Sequence, residues 1–475
     1  MTDQSELQNL QKVLKKYGQT RLLAFWAQLD PARQEWLLAQ IGQLDFVQLD
    51  CWRAEFVMNT APFKLPGKLA PAPFYAHQPS DAGQRGKYDQ ARQLGDKLIS
   101  QGKVAAFVVA GGQGTRLGFD GPKGNFPISP VKNKTLFAIF AEDILAACEK
   151  NNTRCPWYIM TSPLNHQQTL DIFSANNYYG LNKKDVFIFQ QGTLPNFSLD
   201  GKILLADIDT IATSPDGHGG SLRALYNSGA LADMKKRGVE FISYWQVDNP
   251  LINIFDPLFI GLHALDGAEM SSKALVKAGP FEKLGNFCLA DGKVTVIEYI
   301  DLPDELAEKK NPDGSLVFEL GSIAIHIISV NFVDRLNNRG FVLPMHRAVK
   351  KISHINDKGQ RVEPKEPNGV KLESFVFDAL PLCEKSIILQ TLRSEEFAPT
   401  KNATGVDSVE TTRQMMIDRA AAWLESAGVK IPRKPDGLPD CIVEIAPSFA
   451  LTREDVIKKR DKVPAIKPGD KIYLA

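Results

Sequence analysis

The sequence is short of several things, and each shortage removes a class of protein. Cysteine is sparse: six among 475 residues, at positions 51, 148, 155, 288, 383 and 441. None forms a C-x-x-C pair or has zinc-ligand spacing to a histidine, so neither a disulfide scaffold nor a structural zinc organises the chain. They read as reduced, buried thiols of a cytosolic protein. Net charge is almost absent, with 56 Lys+Arg against 55 Asp+Glu, so no global field draws the chain to nucleic acid or a membrane. No apolar run reaches the roughly 18 residues of a membrane span. Met1-Thr-Asp-Gln-Ser-Glu6 lacks the basic and apolar regions of a secretory signal. The expectation is a soluble, cytoplasmic protein. There is no internal repeat or low-complexity tract, and nothing in the pattern sets an oligomeric state.

What is present begins with Val104-Ala-Ala-Phe-Val-Val109, an apolar run that predicts a buried parallel strand. Ala110-Gly-Gly-Gln-Gly-Thr-Arg-Leu-Gly118 follows at once. The C-terminal end of such a strand is where open α/β sheets bind ligands. Gly111, Gly112 and Gly114 let the backbone turn tightly and bring its N–H groups close to an anion. Arg116 and Lys123 add two cations within thirteen residues of Gly111, a combination suited to a polyphosphate. The spacing is one residue too long for the dinucleotide G-x-G-x-x-G, and no Lys-Ser or Lys-Thr closes it as a Walker loop.

Asp30-Pro31 predicts a helix start, with Leu37, Ile41 and Leu44 on one face. The proline-rich stretch 61–73 reads as a loop. From about residue 100, apolar runs alternate with amphipathic segments, with strands expected at 104–109, 156–160, 186–190 and 239–247. Thr135-Leu136 begins a helix whose buried stripe is Leu136, Ile139, Phe140, Ile144 and Cys148. Residues 270–345 are richer in β pattern and read as an elaboration over the acceptor side. Polar residues 400–413 read as a hinge. The fold expected is α/β, a doubly wound, Rossmann-like mixed sheet with a helical N-terminal cap and a small β-rich C-terminal domain. The segments are 1–100, 101–400 and 401–475.

Ala110–Gly118 with Pro122-Lys123-Gly124 resembles the signature of the UDP-sugar pyrophosphorylases, and most of all their eukaryotic-type UDP-N-acetylglucosamine branch. The likeness runs from about Leu22 to the C-terminus. Phe189-Gln-Gln-Gly192, Ser214-Pro-Asp-Gly-His-Gly-Gly220, Val247-Asp-Asn249, Pro367-Asn-Gly-Val-Lys371 and Phe375-Val-Phe-Asp378 fall in the family's order.

The resemblance implies a nucleotidyltransferase centre in 101–400 with UTP and a sugar 1-phosphate as partners. It implies Arg116, Lys123 and Lys371 as phosphate-handling catalytic residues and Gly111 and Gly112 as backbone contacts to the nucleotide. Gln191 matches the uracil reader, with its neighbour Gln190 the alternative. Gly217 and His218 match the loop against the base and ribose, and Lys401 a second phosphate lysine. Gly285, Glu298, Tyr299 and Ser322 match sugar-contacting positions, and Asp248 the ligand of Mg2+. On local pattern alone, Asp248 also reads as a turn residue before Pro250, and each lysine as a solvated charge.

The expected reaction is UTP plus a sugar 1-phosphate giving a UDP-sugar and pyrophosphate, with N-acetylglucosamine 1-phosphate preferred. Glucose 1-phosphate, or several hexose 1-phosphates, is the alternative, because the chain departs from the N-acetylglucosamine enzymes near its sugar positions. Ser322 and Ile325 stand where those enzymes carry Asn, Ile327 and Ile328 where they carry aromatics, and Asp301 where they carry Glu. Readings from other classes are a non-catalytic nucleotide-sugar sensor and a UDP-sugar-dependent glycosyltransferase. The second would use the D-x-D pair Asp207 and Asp209, which otherwise reads as a solvated loop pair.

Overall fold

Val104, Ala105, Ala106, Phe107 and Val108 are all 0% exposed, as a strand covered on both faces of a sheet must be. They belong to the larger of two compact units in the computed structural model, which describes residues 4–59 (side chains from residue 7), 65–341 and 343–475. That unit comprises Leu65–Gln190, Leu222–Phe341 and Ala379–Ala475. The smaller comprises the described parts of Met1–Lys64 and Val342–Asp378, with Gln191–Ser221. Residues 4–59 and 65–100, read in the sequence as an N-terminal helical region and its linker, therefore fall in different units.

The larger unit is built on a ten-stranded sheet. In chain order its strands are β1 (Leu69–Pro71), β2 (Val104–Val109), β3 (Trp157–Thr161), β4 (Val186–Gln190) and β5 (Phe241–Gln246). Then come β6 (Met270–Val276), β7 (Asn286–Ala290), β8 (Lys293–Ile297), β9 (Leu320–Ser329) and β10 (Ser386–Gln390). Strands β5, β2, β3 and β4 run parallel in that spatial order; β2, β3 and β5 are largely buried, whereas Val186, Phe187 and Ile188 of the outermost strand β4 are only partly covered. Beyond β5 the sheet turns antiparallel: β9 pairs with β5, β6 with β9, and β7 with β1 and β8, while β10 lies parallel to β6. The strands β6 to β9 within 270–345 thus extend the main sheet, joined through the β5–β9 ladder. The stretch 61–73 also contains a strand rather than a loop throughout. Leu69–Pro71 pairs with β7 along the sheet edge, where a proline lacking its N–H is tolerated; residues 61–64 lie outside those described.

Helix α1 (Ala82–Ser100), α2 (Leu136–Lys150), α3 (Pro257–Leu265) and α4 (Val409–Ser426) cover this unit. Thr135 caps α2 by accepting from Ala138 N at 3.2 Å. Leu136, Phe140 and Ile144 form its buried stripe, joined by Phe137 and Ala141, while Ile139 and Cys148 are only partly covered. Helices α1 and α3 touch through glycine. A Cβ on Gly95 would lie 1.9 Å from Pro257 O, and one on Gly261 1.8 Å from Ala91 O.

The C-terminal segment has its own small core, including Leu424, Val443, Val456 and Leu474, beneath the parallel pair Ile442–Ile445 and Lys471–Leu474. The expected hinge at 400–413 ends in a helix start. Ser408 and Thr411 form a capping box for α4, and Arg413 donates to Ile128 O at 3.1 Å, so these polar residues are structural.

The smaller unit packs Leu22, Leu37, Ile41 and Leu49 against Phe197, Ile355, Val370 and Leu372. Asp30 caps Pro31–Gly42 by accepting from Arg33 N at 3.0 Å, as the Asp-Pro dipeptide predicts. Its three-stranded sheet sets Gly369–Glu373 between His346–Lys350 and Phe197–Ser198.

Candidate active site

Val109 and Gln246 are register partners on the parallel strands β2 and β5. Both chains therefore leave the sheet at the same edge, where Gly111 follows one strand and Asp248 the other. Val247 N donates to Val109 O at 3.1 Å, holding the two exits together.

The glycine loop is fixed by main-chain bonds. Ala110 N donates to Met160 O at 2.7 Å, Gly114 N to Gly121 O at 2.9 Å, and Lys123 N to Gly112 O at 3.0 Å. Gly118 ends a 3-10 turn, Thr115–Leu117, in the left-handed region at φ 69°, which glycine adopts without strain. The N–H groups of Gly111, Gly112 and Gln113 have no hydrogen-bond partner among the described residues. Successive free amides of this kind form an anion-binding nest. Arg116 is exposed and Lys123 half-buried, and neither side chain is ion-paired among the described residues. Sequence reasoning missed Asn165, which is fully buried. Its Nδ2 donates to Ala110 O at 2.9 Å and Gly112 O at 3.2 Å, while Oδ1 accepts from Ser162 N. No local pattern marks that role, because the partners lie over 50 residues away.

Asp248 is half-buried, and its carbonyl accepts from Thr400 N at 2.8 Å. No group of three or more His, Cys, Asp and Glu able to hold a metal occurs among the described residues. One carboxylate beside an anion nest fits Mg2+, which keeps waters and substrate phosphates as most of its ligands. Lys401 lies just beyond Thr400, with Nζ 3.3 Å from Asp407 Oδ2 and its own N–H donating to Asp407 O.

Three of the sugar candidates meet at one corner of the sheet. Ser322 N donates to Gly285 O at 2.8 Å. A Cβ on Gly285 would lie 2.4 Å from Val296 Cγ1 and 3.4 Å from Glu298 Oε1, so a side chain there would have to displace Val296. Tyr299, the next residue, is 40% exposed. Beside them β9 carries a bulge: Ser322 pairs with Ala274 and His326 with Ser272, leaving Ala324 at φ 55°.

The smaller unit carries the remaining candidates. Gln191 is 7% exposed and donates from Nε2 to Asp216 Oδ1 at 3.2 Å, whereas Gln190 ends β4 in the larger unit with its side chain exposed. Gly217 has φ +84°, and a Cβ there would lie 2.3 Å from Ser374 O. His218 Nδ1 accepts from Val376 N at 3.0 Å, which leaves the proton of the neutral ring on Nε2. The ring stacks on Phe375 with centroids 5.1 Å apart. Burial, reinforced by the neighbouring His346, pushes its pKa down to about 4, so it stays neutral at physiological pH. His346 in turn bonds Asp378 at 2.9 Å. Lys371 sits mid-strand opposite Ala348, half-buried. The D-x-D pair proves unequal. Asp209 has a side chain only 12% exposed and is ion-paired with Arg33, so just Asp207, at 64%, is solvated as expected.

The parallel sheet with a run of free amides and a carboxylate at one edge defines an α/β nucleotidyltransferase-like protein. The UTP–glucose-1-phosphate uridylyltransferase family matches residues 78–472, and the chain belongs to it. It is 36% identical to the human UDP-N-acetylhexosamine pyrophosphorylase-like protein 1, covering 94% of this chain and 93% of that one. It is 35% identical to UDP-N-acetylglucosamine pyrophosphorylase of Saccharomyces cerevisiae, covering 94% and 96%. The uridine diphosphate N-acetylglucosamine pyrophosphorylase of Trypanosoma brucei, solved with an inhibitor, superposes with a TM-score of 0.83 at 26% identity. That match covers 100% of this chain and 99% of that one. The chain is therefore an enzyme of the UDP-sugar pyrophosphorylase class, a uridylyltransferase.

Proposed function

We propose that this enzyme joins UTP to N-acetylglucosamine 1-phosphate, releasing pyrophosphate, in the cytoplasm. The observation that carries the reading is the shared sheet edge: the free amides of Gly111, Gly112 and Gln113 after β2 stand beside Asp248 after β5. The relatives' names support the sugar. A phosphate oxygen of the sugar 1-phosphate attacks the α-phosphorus of UTP, and the bond to the bridging oxygen of pyrophosphate breaks in line. The nucleophile is already an anion, so no general base is needed, and catalysis is positioning and charge neutralisation.

In this reading Arg116 and Lys123 bind the β- and γ-phosphates that leave, and Lys371 and Lys401 steady the phosphates. Asp248 would hold Mg2+, which when bound would supply charge neutralisation to the phosphates. Gln191 reads uracil, Gly217 and His218 face the base and ribose, and Gly285, Glu298, Tyr299 and Ser322 receive the sugar. The neutral His218 suits a contact role rather than proton transfer. The glycosyltransferase alternative loses its motif, because Asp209 is spent on Arg33.

A second sugar reading rests on Ser322. Ser322, whose main-chain N–H bonds Gly285 O, carries a single hydroxyl that cannot match the reach of an amide, which favours acceptance of glucose 1-phosphate as well. A panel of sugar 1-phosphates with UTP, scored by pyrophosphate release, tests both. Release that is independent of any sugar 1-phosphate would defeat the reading.

A further inference from the structure

Residues 396–401 are bound to the turn after β5 at three points. Asn249, 4% exposed, donates from Nδ2 to Glu396 O at 2.6 Å and accepts at Oδ1 from Ala398 N at 3.0 Å. Asp248 O then accepts from Thr400 N at 2.8 Å. The segment is anchored on its other side as well. The Glu396 carboxylate accepts from Thr391 Oγ1 at 2.5 Å and is ion-paired with Lys273, which also lies 2.7 Å from Asp256. Thr412 Oγ1 donates to Pro399 O at 3.2 Å and accepts from Thr400 Oγ1 at 3.0 Å.

Asp248 has no side-chain ion pair among the described residues, so the direction of its carboxylate is set by the turn that carries it. That turn is held by the backbone bond to Thr400 and by the Asn249 amide. The amide donates to one main-chain carbonyl from its nitrogen while its oxygen accepts from a main-chain N–H; Asp lacks the donor and Leu lacks both. We propose that Asn249 is a positioning residue for Asp248, fixing the 396–401 segment so that the carboxylate meets the metal at one place and Lys401 follows at a set distance. This rests on the reading of Asp248 as the holder of Mg2+.

The test uses the full-length protein with Mn2+ as the probe. Mn2+ binding to the enzyme–UTP complex, without sugar phosphate and hence without turnover, is followed by loss of the free-ion EPR signal with enzyme in excess over UTP. Wild type is compared with Asn249→Ala, Thr412→Val and Asp248→Asn, with melting curves for each. Asn249→Ala is expected to weaken Mn2+ binding about tenfold, the usual worth of a residue that orients a ligand. Thr412→Val, which loosens the same segment from behind, should shift it in the same direction by less, and Asp248→Asn by at least as much. Lowered melting with unchanged Mn2+ affinity in both Asn249→Ala and Thr412→Val, while Asp248→Asn loses the ion, would show Asn249 to be merely structural. Wild-type Mn2+ affinity in Asp248→Asn is a different pattern; it removes the metal reading and the proposal with it. If Asn249→Ala does not fold, Thr412→Val decides alone.

Discussion

Lys123 donates its main-chain N–H to the carbonyl of Gly112 at 3.0 Å, so this cation is tied to the loop whose free amides it stands beside. The main-chain position from which its side chain extends is thereby set relative to the nest before any ligand arrives. Such preorganised charge acts most on the state in which charge on the leaving group is greatest.

Lys123→Ala should therefore lower kcat by about 10²–10³ while changing UTP affinity far less. Single-turnover pyrophosphate release against equilibrium UTP binding separates the two. Unchanged turnover would remove Lys123 from the machinery.

Ser322→Asn should raise the preference for N-acetylglucosamine 1-phosphate over glucose 1-phosphate by about tenfold in kcat/KM. That corresponds to one hydrogen bond of ~1.4 kcal/mol. Competition between the two sugars in a single reaction measures the ratio directly. A wild type already strictly selective, with no change in the variant, would make the departure at this position silent.

Lys273 is 1% exposed and neutralises both Asp256 and Glu396. Lys273→Met should destabilise the protein by about 3–5 kcal/mol, because the buried Glu396 and the partly buried Asp256 lose their shared cation. Urea unfolding gives the value. A loss under about 1 kcal/mol would mean that water reaches the pair and screens it.

Asp143 lies on α2, and burial pushes its pKa up from 3.8 to about 7, with Arg419 acting in the opposite sense. The folded state then holds a proton that the unfolded chain has released, so stability falls as pH rises from about 4 to about 7. Asp143→Asn should melt higher than wild type at pH 8, with the difference shrinking toward pH 4. Equal melting temperatures across that range would show that Asp143 is well solvated.

The parallel core was legible because its signals are local. Val104–Val109 is apolar throughout, Thr135 is a capping residue before an apolar stripe, and Asp30-Pro31 marks its helix by chemistry alone. The glycine loop was legible for the same reason. What stayed hidden depends on distant pairing. Nothing near Leu320–Ser329 says that it joins β5 to β6, and nothing near Asp209 says that Arg33, 176 residues earlier, will claim it. Asn165 and Asn249 look like turn asparagines until the carbonyls they hold are in place. The hinge expected at 400–413 failed because Ser408 and Thr411 are polar in order to start a helix, not to expose a linker.

The smaller unit is stitched from three separated stretches, and this orders events at the ribosome. Leu372, which completes its core, follows Leu22 by 350 residues. At about 5–20 residues per second, the N-terminal helices wait on the order of 20–70 s with their apolar faces incompletely covered. Throughout that interval they are a target for chaperones, so slowed elongation or a truncated message should aggregate through Leu22, Leu37 and Ile41 rather than through the central sheet.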